Sequence, residues 1–332
     1  MIGIIKAKAP QIFEVIVTRR VLGKYLWDHF QCRDSFVMKF LRMDMKWSLR
    51  RSTRAGKKTP NNILQILTDT FLRFSWAISK FNIRAVFIVN SDQTMVYFSV
   101  DSKQSYEAIG SKQVEVVGLD ERRGFTLMVG ISMSGEVLPF QAIYKGKTKA
   151  SLPKPTALGY EKATQELKFL FEFSKTDNHW STIRTMKNYV SETLAPYFES
   201  HRKKLKLPNQ ICIWQIDCWS VHRSLEFRSW MRAAYPWIRI HFVPANCTGL
   251  FQPCDVGIQR ILKLAIKRSA LSDIVDHTMN QLSLDTPPDQ ITFDKRIGVV
   301  RDRSVMWLVN GYEAINNPEI VQKVIFLMQF YS

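Results

Sequence analysis

From residue 85 onward, short apolar runs bounded by turn residues alternate with stretches of helical period. Ala-Val-Phe-Ile-Val (85–89) is an apolar run suited to a buried strand, and it ends at Asn90, Ser91 and Asp92. Phe125 to Ile131 and Val137 to Tyr144 form two more strands around the turn Met-Ser-Gly-Glu (133–136). A polar, Pro-containing loop over 147–155 precedes helical sequence over roughly 157–172 and 181–203. The run 210–216 is a further strand ending at Asp217, followed by a helix over about 222–234 and a strand over 238–243. A loop with Pro244, Gly249 and Pro253 carries Asp255 into a helix over about 256–271, and helical sequence follows Pro287. Ahead of all this, Phe36, Phe40, Met43 and Trp47 repeat at helical spacing, as do Ile63, Leu67, Phe71, Phe74 and Ile78.

The pattern divides the chain into a basic helical segment with a linker over 1–60, a connecting helix over 61–84, a mixed α/β core over 85–275 and a helical tail over 276–332. With 332 residues and 46% hydrophobic positions, the chain is long and apolar enough to bury a core, which excludes a disordered or fibrous protein. Charge changes the picture. The formal net charge is +18, and residues 1–58 hold 14 Lys and Arg against four acids, a local +10. Such a surplus points to a polyanionic partner, most simply nucleic acid. No apolar run is long enough to span a membrane, and Lys6 and Lys8 interrupt any leader-like stretch. Five cysteines without a Cys-x-x-Cys pair imply reduced thiols rather than a disulfide framework or a zinc ribbon. A reducing compartment follows, and the charge favours the nucleus.

Asp92, Asp217 and Asp255 all follow strands or open a helix. Taken singly, each is an ordinary turn former or helix cap. Together, at the carboxyl ends of neighbouring strands, they would crowd three carboxylates at one sheet edge, where α/β sites form. That crowding calls for cations, and oxygen ligands suit two Mg²⁺ or Mn²⁺ ions able to promote phosphodiester displacement.

The words around the acids resemble those of the pogo-like DDE transposases, the Tigger, jerky and centromere protein B group of the DDE superfamily. Asn90-Ser-Asp92-Gln-Thr94 is similar to the first-acid signature, with Gln93 standing where that motif carries Glu. Gln215-Ile-Asp217 with His222 five residues on is similar to the second, and Pro244-Ala-Asn246-Cys-Thr248 with Gln252-Pro-Cys-Asp255 to the third. Gly135 to Pro139 and Ile143 to Gly146 match the intervening hairpin. The resemblance implies an RNase H-like core and Asp92, Asp217 and Asp255 as catalytic metal ligands. Asn90, Thr94, His222, Asn246 and Gln252 would be their supporting residues. It also implies DNA as substrate and self-association on DNA. Phe36 to Arg51 resembles the second helix-turn-helix of the family's DNA-binding region, and too few residues precede it for the first.

For DNA contact the candidates are the basic run Arg50, Arg51, Arg54, Lys57 and Lys58, and Arg260, Lys263 and Lys267 on one face of the helix after Asp255. A solvated face is the plain alternative for the second group, and a nuclear localisation signal for the first. Trp219, Trp230 and Trp237 read as core. The sequence thus predicts a transposon-derived, metal-dependent DNA endonuclease on an α/β, RNase H-like sheet. A catalytically silent transposase derivative that only binds DNA is the alternative, and an RNA- or hybrid-cutting RNase H-type enzyme ranks third.

Overall fold

A computed structural model of the chain describes residues 15–21, 24–29, 34–44, 46, 62–98, 123–287 and 290–329. The chain divides into two units, Met1–Lys57 and Lys58–Ser332. In the first, strands β1 (Ile16–Val21) and β2 (Lys24–His29) pair antiparallel, with Ile16 opposite His29 and Val21 opposite Lys24. A hairpin therefore stands where a helical remnant is expected; Ile, Val, Thr and Tyr favour the pleated surface over a helix. Helix α1 (Asp34–Met43) follows. It buries Val37 but leaves Phe36, Phe40 and Met43 exposed, so the stripe chosen from spacing is not the buried one. Trp47, with the helical reading that includes it, and the run from Arg50 to Lys58 lie outside the described residues.

The second unit begins with α2 (Ile63–Lys80), whose buried positions are Leu67, Thr70 and Phe74, while Phe71 is exposed. Ala85–Phe87 form one 3₁₀ turn rather than the start of a strand, and β3 then runs over Ile88–Tyr97. Strands β4 (Gly124–Ser132) and β5 (Gln141–Tyr144) flank a turn in which Gly135 takes a φ of +104°, a conformation that suits glycine. The stretch expected as a helix over 157–172 instead holds one π turn, Lys162–Glu166, and strand β6 (Leu170–Phe173). Helices α3 (Ile183–Tyr189) and α4 (Ala195–Lys204) follow, joined by a π turn and opened by a reciprocal Thr182–Thr185 cap. Then come β7 (Cys212–Asp217), α5 (Leu225–Ala234) and β8 (Ile238–Val243). A π turn, Cys254–Ile258, leads into α6 (Gln259–Ser283), followed by α7 (Ile297–Ile315) and α8 (Pro318–Gln329).

Six strands form one mixed sheet in the order β6-β5-β4-β3-β7-β8, parallel at β5–β6, β3–β7 and β7–β8 and antiparallel elsewhere. Side chains alternate between its faces. Phe125, Leu127, Val129 and Ile131 pack with Leu262, Ile266, Leu308 and Val309 of α6 and α7. Met128 points the other way, into a core with Met186, Leu194, Phe198, Trp214 and Phe227. The helices beyond residue 275 thus belong to the same core as the strands. Among the described residues no helix is long and apolar enough to cross a membrane.

His241 on β8 lies against the rings of Phe74 and Phe251, at centroid distances of 4.9 and 6.3 Å, with no partner for Nδ1. Burial pushes its imidazole down to about 4 from an ordinary 6.5. Between those values the unfolded chain takes up a proton that the folded chain refuses, so stability falls as pH drops through that window. Each unit costs up to about 1.4 kcal/mol. Urea midpoints at pH 7 and pH 5 should separate for the wild type and draw together for His241→Phe. An equal separation in both proteins would assign the acid sensitivity elsewhere.

Candidate active site

Register brings the acids together. Asn90 on β3 pairs with Gln215 on β7, so Asp92 and Asp217, each two residues further on, point to the same face. Asp92 also stands opposite Val129 of β4, which places that face under α6. Asp255 sits in the π turn that opens α6. Asp92 lies inside β3 rather than beyond its end, because the strand continues to Tyr97; Asp217 is the last residue of β7, as expected.

Asp92 is 8% exposed, Asp217 is partly exposed and Asp255 is exposed. Burial, and then the charges of Asp255 and Asp217, hold the Asp92 carboxyl well above the usual carboxylate range. The three acids therefore sense one another across one face. Among the described residues, however, no three His, Cys, Asp or Glu side chains are grouped so as to hold a metal ion. Gln259 Nε2 donates to Asp92 Oδ2, and His222 Nδ1 lies 2.8 Å from Asp217 Oδ1 and 3.2 Å from the Asp217 carbonyl oxygen.

Two supporting residues, Asn90 and Gln252, lock the strands to the loop carrying Asp255. Asn90 Nδ2 donates to the Gln215 carbonyl at 3.3 Å, and its Oδ1 accepts from the Cys254 amide at 3.1 Å. Gln252 Nε2 donates to the Ser91 carbonyl at 3.4 Å, while its Oε1 is buried without a partner. His222 is 1% exposed, edge-on to Trp219, with Nε2 unpartnered. Thr94 is buried on the Asp92 face. Asn246 is exposed with a φ of +63°, a turn conformation that Asn tolerates, and no hydrogen bond ties its side chain to the acids.

Arg260, Lys263 and Lys267 are exposed on α6, immediately after the Asp255 turn. Arg50, Arg51, Arg54, Lys57 and Lys58 lie outside the described residues. Cys212 and Cys254 are buried and their thiols are pushed up by burial, Cys212 to about 12, so both stay protonated and suit packing rather than zinc.

Two features escape the sequence pattern. Gln259 stands four residues after Asp255, one helical turn on, and that spacing was the available signal. On the opposite face, Ser91 Oγ meets Tyr189 Oη at 2.9 Å and accepts from Trp214 Nε1 at 3.1 Å, pinning β3 to β7 directly beside Asp92. Nothing local in the sequence pairs those three residues.

The DDE superfamily endonuclease profile matches residues 122–323, a span that contains Asp217 and Asp255, begins after Asp92 and includes α7. No curated protein matches the chain. Among solved structures, the Mos1 mariner paired-end complex with Mn is similar at 12% identity and a TM-score of 0.50, over 90% of this chain and 68% of that one. The mariner Mos1 paired-end complex with Mg gives 12%, 0.48, 90% and 68%, and the catalytic domain of Mos1 mariner transposase 10%, 0.38, 83% and 98%. At such identity the likeness speaks for the fold, a six-stranded mixed sheet flanked by helices in the RNase H-like manner. With most of its length matched by the family profile, the chain belongs to the DDE superfamily endonucleases.

Proposed function

We propose that the chain is a transposon-derived DNA endonuclease of the pogo-like group, with Asp92, Asp217 and Asp255 as its catalytic acids. The observation that carries this reading is the buried Asp92 carboxyl, pressed by the charges of the other two acids on one sheet face. Gln252 donates from Nε2 to the Ser91 carbonyl and leaves its Oε1 buried without a partner; carboxylate and amide oxygens are the donor types that suit a hard divalent cation. Asp92, Asp217 and Asp255 would hold Mg²⁺ or Mn²⁺, which supplies Lewis-acid activation of water and stabilises the leaving oxygen of a phosphodiester. The similar Mos1 paired-end complex is described with Mn.

The chain's own residues prepare that site. His222 orients one oxygen of Asp217, Gln259 engages one oxygen of Asp92, and Asn90 holds the Asp255 turn against β3. Arg260, Lys263 and Lys267 would meet DNA phosphates beside the acids, and the basic run from Arg50 to Lys58 would track the backbone or direct the protein to the nucleus. Self-association on DNA accompanies this reading.

A second reading keeps the fold without the reaction: a silent, DNA-binding derivative, in which Gln93 stands where the resembled first-acid motif carries Glu. Nicking of supercoiled plasmid in Mn²⁺ separates the two. The endonuclease reading expects relaxed circles from the wild type and none from Asp217→Asn. DNA binding with equal, background nicking by both proteins would leave the binding reading in its place.

A further inference from the structure

A cavity of about 750 Å³ opens at the end of the sheet where β3 finishes, β4 begins and β5 finishes. It lies away from the acids, since five strand residues from Asp92 to Tyr97 span about 17 Å. Its walls include Phe98 and Tyr144, and among the described residues its charged groups are Arg123, Lys145 and Arg301 against the acid Asp177; burial lowers the His179 imidazole, whose Nδ1 lies 2.9 Å from Thr126 Oγ1. Asp177 faces Lys147 at 3.4 Å, so among the described residues Lys145 and Arg301 are the cavity's surplus cations, and Arg123 at the rim donates from Nη2 to the Lys295 carbonyl at 2.9 Å.

Arg301, on α7, is 8% exposed, yet no carboxylate lies within ion-pair distance of it among the described residues. Its Nη1 donates to the Ala150 carbonyl at 3.0 Å, its plane lies over the Tyr144 ring at 5.8 Å, and its Nε is buried without a partner. The neighbouring Asp302 is turned away, accepting from the Lys154 amide at 2.8 Å. Burial holds the guanidinium below its usual range. A buried cation is normally paired, and a planar guanidinium with a free N–H is suited to an oxyanion.

We propose that this cavity is a phosphate-binding pocket in which Arg301 is the buried anchor and Lys145 and Arg123 form the cationic rim. Its volume suits a mononucleotide, and its aromatic walls would border the sugar or base. The phosphate has two sources, a free or terminal nucleotide and the DNA backbone; only the second rests on the endonuclease reading above.

The test is calorimetric titration of the full chain with inorganic phosphate, with deoxyadenosine 5′-monophosphate, and with a six-nucleotide single strand lacking terminal phosphates. Binding of at least one probe should weaken tenfold or more in Arg301→Gln and severalfold in Lys145→Glu, with circular dichroism unchanged. Loss of mononucleotide binding assigns the pocket to a free or terminal nucleotide, and loss confined to the oligonucleotide assigns it to the backbone. If Arg301→Gln does not fold, Lys145→Glu and Arg123→Glu on the exposed rim decide. Wild-type affinity for all three probes in the folded variants, or no binding by the wild type, overturns the proposal. A chain that nicks no plasmid can still pass this test, and a nicking chain can fail it, so the two readings stand or fall separately.

Discussion

Asp92→Asn is expected to abolish nicking while leaving a folded protein that is slightly more stable in metal-free buffer. The two effects share one cause. Asp92 is 8% exposed, and burial together with the charges of Asp255 and Asp217 opposes its ionisation. Asparagine keeps the shape and an oxygen for Gln259 Nε2 to donate to, but removes the charge. Relief of that crowding should add about 1 kcal/mol, a rise of roughly 2–4 °C in Tm for a domain of this size. The same change removes one of the acids proposed to hold the cation. Losing a few kcal/mol of transition-state stabilisation lowers the rate on the order of 10²–10³-fold. Plasmid nicking in Mn²⁺ and thermal melts in chelator measure the two halves independently. A variant that melts lower than the wild type would contradict the charge-crowding account, whereas one that nicks normally would remove Asp92 from the catalytic set.

Trp214→Ala should produce the largest loss of stability, about 3–5 kcal/mol in urea denaturation. Trp214 is fully buried on β7, between β3 and the edge strand β8, where its ring lies near those of Tyr189 and Phe227 at 6.2 Å each. Its Nε1 also donates to Ser91 Oγ, so truncation opens a cavity and removes a partner from a buried hydroxyl. Ser91 and Trp214 flank the acids on neighbouring strands, and loosening them should also weaken nicking by letting β3 and β7 shift. Trp214→Phe, which refills most of the volume, should recover most of the stability but not the hydrogen bond. A loss below about 1 kcal/mol for Trp214→Ala would show that the core beneath β7 repacks freely.

Asp217 and Asp255 were legible as candidates because each follows a local signal, whereas Asn90 and Gln252 stood out only through the resemblance of the words around them. β7 and β8 are compact apolar runs with clear ends, and α6 follows a loop rich in proline and glycine. Where local signals compete, tertiary pairing decides. Leu170–Phe173 lies in a stretch of helical composition yet forms β6, because the free edge of β5 offers a ladder of backbone partners that a helix there could not satisfy. Likewise β3 continues through polar Ser91, Asp92, Gln93 and Thr94 because β4 pairs with it as far as Tyr97. A run of polar residues viewed along the chain has no such partner in sight.

The amino-acid sequence by itself determined the elements that its periodicity and turn residues mark and the excess of positive charge, and it nominated three candidate acids. Only the tertiary structure decided that Asp92 and Asp217 share a face, that Gln259 and His222 each engage one acid, and that Arg301 is buried with no carboxylate at ion-pair distance among the described residues. These are properties of register and burial. Both depend on contacts between residues far apart in the chain, which set side-chain direction and electrostatic cost but leave no periodic trace along it.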